Sequence, residues 1–173
     1  QRTVLFQYER LLTRLNRHPG LVDLESFSLV NLLLRTSEAS LTQQGDWALV
    51  NAAPGYLTVL FFRGETLCFY RSKAVADEEH SPERFLPALR RGLASCAAFY
   101  REHLSGSSLA GAVLRTSNGE SRFLPSLVQE ELACSVVTLD PGKAVTLPAG
   151  SDAAGPRWQA LAPALGAALG RHA

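Results

Sequence analysis

The side chains able to do chemistry are few and scattered along the chain. Asp77, Glu78 and Glu79 run directly into His80, a set of types that could hold a metal ion. A solvated loop ahead of a helix is the favoured reading, because acids at a helix N-terminus suit its dipole. Ser95 and Cys96 place two nucleophiles side by side. Both fall in a helical pattern on an apolar stripe, and a thiol without a neighbouring base stays protonated. His18, His103 and His172 stand at helix ends, where imidazoles commonly cap the last carbonyls. Cys68, Cys96 and Cys134 are odd in number, far apart and set among apolar neighbours. With no metal-ligand spacing, they read as reduced core thiols of a cytosolic protein. Arg84, Arg90 and Arg91 sit within one helical pattern and read as a solvated face. No nucleophile–base pair can be assembled from these groups.

Composition narrows the classes further. Of 173 residues, 46% are apolar, which is enough to bury a sizeable core in one domain, with or without a small subdomain. The net charge is +1 with the charges interspersed, unlike the clustered Lys and Arg of a nucleic-acid surface. No apolar run reaches the ~18 residues of a spanning helix, and no signal peptide opens the chain. Gln1 leads straight into an amphipathic stretch without an initiator Met, so the chain reads as a fragment whose upstream part is missing.

The elements that must position any site follow from periodicity. Val4, Leu5, Tyr8, Leu11, Leu12 and Leu15 are spaced for a helix over Val4–Asn16 that ends at His18-Pro19-Gly20. Leu21–Leu24 predicts a short strand and Glu25–Arg35 a second helix, with a polar loop over Thr36–Asp46. Three strands follow in quick succession: Trp47–Ala53, Tyr56–Arg63 after a Pro54-Gly55 turn, and Glu65–Lys73 after Arg63-Gly64. Their short connections predict an antiparallel meander. Ser81 as N-cap with Pro82 at the first helical position starts a helix to about His103, with Phe85, Leu89, Leu93, Cys96 and Tyr100 on its buried stripe. Leu109–Thr116 reads as a strand, Leu124–Leu132 as a helix, Ser135–Leu139 as a strand and Arg157–Arg171 as an Ala-rich final helix. The segment Pro148–Pro156, rich in Gly, Ala and Ser, reads as mobile.

From Trp47 the order is βββαβαβα. Three antiparallel strands followed by crossover helices that add parallel ones make a mixed five-stranded sheet with helices on both faces, Trp47–Ala53 central. That is a ribonuclease-H-like α/β lobe over 47–173, preceded by a helix-strand-helix extension over 1–46. Nucleases of this arrangement clamp two cations with carboxylates on the first strand. Trp47–Ala53 carries none, Asp46 only precedes it, and Leu109–Thr116 carries none either.

The chain resembles a known family. Leu21-Val22-Asp23-Leu24-Glu25-Ser26-Phe27-Ser28-Leu29 is similar to the Val-Asp-x-Glu segment of the PilM-like, actin-like ATPases of type IV pilus assembly. The helix carrying Tyr8-Glu9-Arg10-Leu11-Leu12 has the same character as theirs, and Gly92–Tyr100 resembles their Arg-Ser-Leu-x-Phe-Tyr helix. Leu124-Pro125 resembles the Leu-Pro-Gly-Leu that follows their adenosine loop, and Ala162–Leu169 their terminal helix. The resemblance covers nearly the whole chain as an ordered set. It implies an actin/Hsp70-type second lobe whose first lobe, with the first phosphate loop, is absent.

By the same resemblance, Val50–Thr58 takes the place of the second phosphate hairpin. Nucleotide positions then fall on Glu25, Asn51, Ala53, Gly55, Thr58, Ser117, Asn118 and Gly119. The matches are degenerate. The family's hairpin reads Asp-x-Gly, where the acid organises a metal-bound water and the glycine lets amides approach phosphate; here it is Asn51-Ala52-Ala53. The adenosine loop is Thr116-Ser117-Asn118-Gly119 instead of three glycines, and Ala74-Val75-Ala76 replaces a glycine pair. Ala53 and Asn118 stand where glycines would take positive φ, a geometry costing about 1–2 kcal/mol for a residue with a Cβ. These departures imply a non-catalytic scaffold of a type IV pilus or type II secretion platform, a pseudo-ATPase with neither cofactor nor metal. It would lie in the cytoplasm beneath the inner membrane, held by the cytoplasmic tail of a single-span partner. The alternative is an ATP-binding actin-like ATPase of the same pilus family, and a third reading is a carbohydrate-kinase-like enzyme of that superfamily.

Overall fold

The computed structural model describes residues 2–16, 23–75, 82–117, 123–145 and 156–170. Its helices are α1 (Arg2–Arg14), α2 (Glu25–Leu33), α3 (Pro82–His103), α4 (Leu124–Leu132) and α5 (Pro156–Leu169). Its strands are β1 (Asp46–Ala53), β2 (Tyr56–Arg63), β3 (Thr66–Ala74), β4 (Gly111–Thr116) and β5 (Val136–Thr138). They form one five-stranded sheet in the order β3-β2-β1-β4-β5. The meander pairs antiparallel, β1 pairs β4 parallel, and β4 pairs β5 parallel. The expected mixed sheet with β1 at its centre is what forms.

Each strand divides its side chains between two layers, because successive residues point to opposite faces. Ala48, Val50, Val59, Phe61 and Leu114 meet Phe85, Leu89, Leu93 and Cys96 of α3 and Leu127 and Val128 of α4. On the other face Trp47, Leu49, Leu60, Phe62 and Val113 meet Leu29, Leu32 and Leu33 of α2 and Ala162 of α5. Both faces of β1 are therefore covered, which is why it reads as an almost unbroken apolar run. Trp47 anchors the second layer: its ring stacks on Phe62 at 4.2 Å, and its Nε1 donates to the Gly64 carbonyl at 2.7 Å. α1 contributes no buried residue; Val4, Phe6, Tyr8 and Leu11 are exposed on it, as is Leu15 just past its end.

Several local expectations need correction. Asp23 and Leu24 belong to no strand; Leu24 is the extended residue that starts α2. The expected polar loop carries a 3-10 helix over Ser37–Gln43, and Asp46 is the first residue of β1. There the Arg63 fork draws the Asp46 carboxyl below its ordinary range at 3.1 Å, and the Tyr100 hydroxyl donates to it at 2.8 Å. Only Cys96 of the three thiols is a buried core residue; Cys68 and Cys134 are partly exposed. Within the basic cluster Arg90 is not simply solvated: it binds Glu130 through two bonds at 2.9 Å and reaches Glu131, tying α3 to α4. His103 ends α3 with its ring stacked on Phe99. His18, Leu21, Val22, Asp77–His80, Ser81, Pro148–Gly155 and His172 lie outside the described residues.

One half-buried ion pair ties the 3-10 helix to the segment after β5. Glu38 is 8% exposed and accepts from Lys143 Nζ at 2.7 Å. Burial pushes its carboxyl up, but Lys143, Thr36 and the residue's own amide together outweigh that and hold it at about 2, against an ordinary 4.5. A depressed carboxyl contributes stability that is present above its unfolded value and lost as pH falls toward its folded one. The chain is expected to lose stability between pH 4.5 and about 2 more steeply than Glu38→Gln. Urea midpoints across that window test this, and parallel pH profiles for the two proteins would refute it.

Candidate functional site

The C-terminal end of β1 is where the sequence placed a site, and it gathers buried polar groups in one row. The register sets Ser72 opposite Thr58, Thr58 opposite Asn51, and Asn51 beside Arg115. Strand alternation turns Asn51 and Arg115 to the face of Leu49 and Val113, under α2 and α5. Asn51, Thr58 and Arg115 are 0%, 2% and 3% exposed. An apolar layer thus ends in a polar one at the same height on neighbouring strands.

Arg115 is the hub. Its Nη1 donates to Glu25 Oε1 at 3.1 Å and to Asn51 Oδ1 at 3.0 Å. Its Nε and Nη2 donate to the Gln159 backbone carbonyl at 3.1 and 2.7 Å. Asn51 Nδ2 donates to Glu25 Oε1 at 3.3 Å, so the amide meets the cation with its oxygen and the carboxylate with its nitrogen. The Tyr56 hydroxyl donates to the other Glu25 oxygen, and burial with that bond pushes its own titration up to about 12. Gln159 Nε2 donates to the Leu139 carbonyl at 2.6 Å, while its Oε1 is buried without a partner among the described residues. One guanidinium therefore connects α2, β1, β4 and α5.

The structure brings some expected site residues together and separates others. Glu25, Asn51 and Thr58 converge, although the Thr58 hydroxyl donates to Ser72 at 2.9 Å instead of facing a vacant pocket. Ala53 and Gly55 lie at the hairpin end; Gly55 takes φ +82 after Pro54, the order a type II turn requires. Ala53 is ordinary strand, opposite Tyr56 and outside the left-handed region, so the expected strain of a Cβ there does not arise. Ser117 extends the β1–β4 ladder, its amide donating to the Ala52 carbonyl at 3.2 Å. Asn118 and Gly119 lie outside the described residues.

Chemically, both oxygens of the one carboxylate are engaged and its charge is matched by a guanidinium in direct contact. An actin-like nucleotide site would need a cation beside Asn51 and Glu25, and the donors present do not fit one, because Arg115 already occupies the place where their oxygens converge. Among the described residues no group of three His, Cys, Asp or Glu side chains could hold a metal. The sequence reading missed Arg115, Tyr56 and Gln159. A signal existed for the first: an arginine inside the otherwise apolar run of β4 must find partners or break the strand. The Gln159 contact is made by a backbone carbonyl and leaves no trace in residue type.

The overall fold has a clear counterpart among solved structures. A chain of the PilM–PilN type IV pilus biogenesis complex matches with a TM-score of 0.68 over 88% of this chain, at 18% identity. The lobe has the actin-like fold. Looser likenesses are to an actin-like ATPase-fold protein of unknown function from Bacteroides thetaiotaomicron, covering 69% of this chain and 40% of that one (TM-score 0.44, 9% identity), and to the ethanolamine utilization protein EutJ from Carboxydothermus hydrogenoformans, covering 84% and 53% (0.46, 11%). The actin-like lobe spans about half of the PilM–PilN chain it matches, 53% of that length. No protein-family model and no curated protein sequence matches it. Among the described residues no helix is long and apolar enough to cross a membrane.

Proposed function

We propose that this chain is the second lobe of an actin-like scaffold protein in a type IV pilus or type II secretion platform, and that it holds partners without turning over ATP. The observation that carries the reading is the Arg115 cluster set in a fold shared with the PilM–PilN chain. Residues 47–173 form the lobe proper, and residues 1–46 are its arm. The protein works in the cytoplasm beneath the inner membrane, and its partner is the cytoplasmic tail of a single-span assembly protein.

Nucleotide chemistry is weak here for a physical reason. Asn51 carries no charge to organise a cation, and the neighbouring carboxylate is spoken for by Arg115. Titration of ATP with Mg²⁺ into the full-length protein is expected to show no binding in the micromolar range and no phosphate release. Micromolar binding would mean that Asn51 is an active variant of an acid, and the ATP-binding reading would stand instead.

The partner makes a second expectation. A synthetic peptide of a PilN-like cytoplasmic tail should bind the full-length protein, with most of its groove supplied by the other lobe. Calorimetry on residues 1–173 alone should show at least about tenfold weaker binding, roughly 1.4 kcal/mol. Equal affinity for this lobe would move the groove onto it.

A further inference from the structure

Strand β3 closes one side of the sheet, and its outer edge pairs with nothing among the described strands. Every second amide and carbonyl along that edge is directed outward, a template for one more strand. Folded chains usually blunt such an edge, and two of the usual devices are present. A bulge interrupts the pairing between Phe61 and Phe62, and Arg71 and Lys73 stand exposed on the strand. Past the bulge, residues 69–74 stay in continuous register with β2, so a regular stretch of edge remains.

The two faces of that edge differ in chemistry. Phe69, Arg71 and Lys73 alternate toward α3: the Phe69 ring packs on Phe61 and Phe99, and Arg71 donates to the Ser95 hydroxyl at 2.9 Å. Tyr70 turns to the opposite face, where its ring lies 6.2 Å from that of Phe27 on α2. Leu67, opposite Phe62, falls on the same face. Tyr70 and Leu67 are 40% and 37% exposed, two large apolar groups open to water beside unpaired backbone. A guard against aggregation accounts for the two cations. It does not account for exposed apolar side chains on the other face, which make an edge more adhesive.

We propose that the outer edge of β3 is a docking site for an extended acidic segment of a partner protein, which adds antiparallel to the sheet as a further strand. Its acids lie beside Arg71 and Lys73, and its alternate apolar side chains cover Leu67 and Tyr70. Backbone bonds supply the affinity in this mode of recognition, and the alternating side chains supply the choice of partner. Charge decides between occupants. Thr66–Ala74 carries two cations and no acid, so a second copy pairing through the same edge would set cations against cations. An acidic strand meets those charges with its own. The antiparallel sense continues the meander to which β3 already belongs.

The test selects random short peptides displayed on phage against the full-length protein, and follows the best binder by fluorescence anisotropy. The enriched sequences should alternate apolar residues with Asp or Glu. The Arg71→Glu, Lys73→Glu double variant should bind the selected peptide at least about tenfold more weakly, and should regain affinity for a copy with lysines in place of the acids. Methylating the peptide's backbone nitrogens on the edge that meets β3 removes donors and keeps every side chain, and should abolish binding. Methylating the nitrogens between them should leave it unchanged. A selection that yields no binder, or binders without the alternation, overturns the proposal. So does an alternating peptide that binds the double variant equally well, or one that tolerates methylation at both sets of nitrogens. Should the double variant not fold, the methylated peptides decide alone. A dimer of the unsubstituted protein that the selected peptide dissolves would give the edge to a second copy and overturn the proposal too. The inference stands on β3 alone: a failed tail-binding experiment would leave it intact, and its own failure would leave the pilus reading intact.

Discussion

Leu93→Asp is expected to yield no folded protein. Leu93 is 1% exposed in the middle of α3, packed in the layer with Leu89, Cys96 and Phe61. Removing a buried Leu side chain costs about 2–5 kcal/mol by itself, and an unpaired carboxylate among apolar groups adds several more. The sum reaches the whole stability of an ordinary domain, about 5–15 kcal/mol. Two residues along the same helix the chemistry reverses. Ser95 is exposed and its hydroxyl accepts from Arg71 at 2.9 Å, so an acid there gains a partner. Ser95→Asp should shift stability by no more than about 0.5 kcal/mol. Circular dichroism and urea unfolding of the pair provide the comparison, and a cooperatively melting Leu93→Asp protein would count against the assigned core.

The second large effect falls on the other face of the sheet. α5 crosses α2 so closely that a Cβ on Gly166 would lie 1.8 Å from the Ser28 carbonyl oxygen and 2.5 Å from its carbon. Those are backbone atoms of a buried helix and cannot turn aside, so Gly166→Ala must lift α5. Lifting it loosens Ala162 from its layer and draws the Gln159 carbonyl away from Arg115. The expected loss is about 2–5 kcal/mol, the size of a disrupted core contact, although Ala is the better helix former by about 1 kcal/mol. Ala167→Ser, on the exposed neighbour, should be nearly silent. A Gly166→Ala protein as stable as its parent would show that the two helices stand further apart.

The sheet was legible in the sequence because its signals are local. The meander announces itself by Pro54-Gly55 and by Gly64, which takes φ +57 in the turn before β3. The α3 stripe has a clean helical period, and Phe85, Leu89, Leu93 and Cys96 are all buried as the spacing predicts. The 3-10 helix over Ser37–Gln43 was not legible, since its polar residues carry no period. The candidate site was half visible. Glu25 and Asn51 could be picked out by resemblance, but what they do depends on Arg115, which is 90 residues from Glu25 in sequence and 64 from Asn51. Only the β1–β4 register places it there. Ala53 shows the opposite failure, in which the resemblance to a glycine-bearing hairpin suggested strain that the strand geometry does not contain.

The one-sided position of β3 has a consequence for how amide protons exchange with solvent. β1 is paired along both edges and covered on both faces, so its amides can exchange only when the whole sheet opens. β3 is paired on one edge alone among the described strands. Along an antiparallel edge strand, amides point alternately toward the partner and away from it. Deuterium uptake along Thr66–Ala74 is therefore expected to alternate, slow at residues bonded to β2 and fast at those between, broken only at the irregularity opposite Phe61 and Phe62. A time course resolved by residue would show the open edge of the sheet as a period of two in rate, running beside a uniformly slow β1.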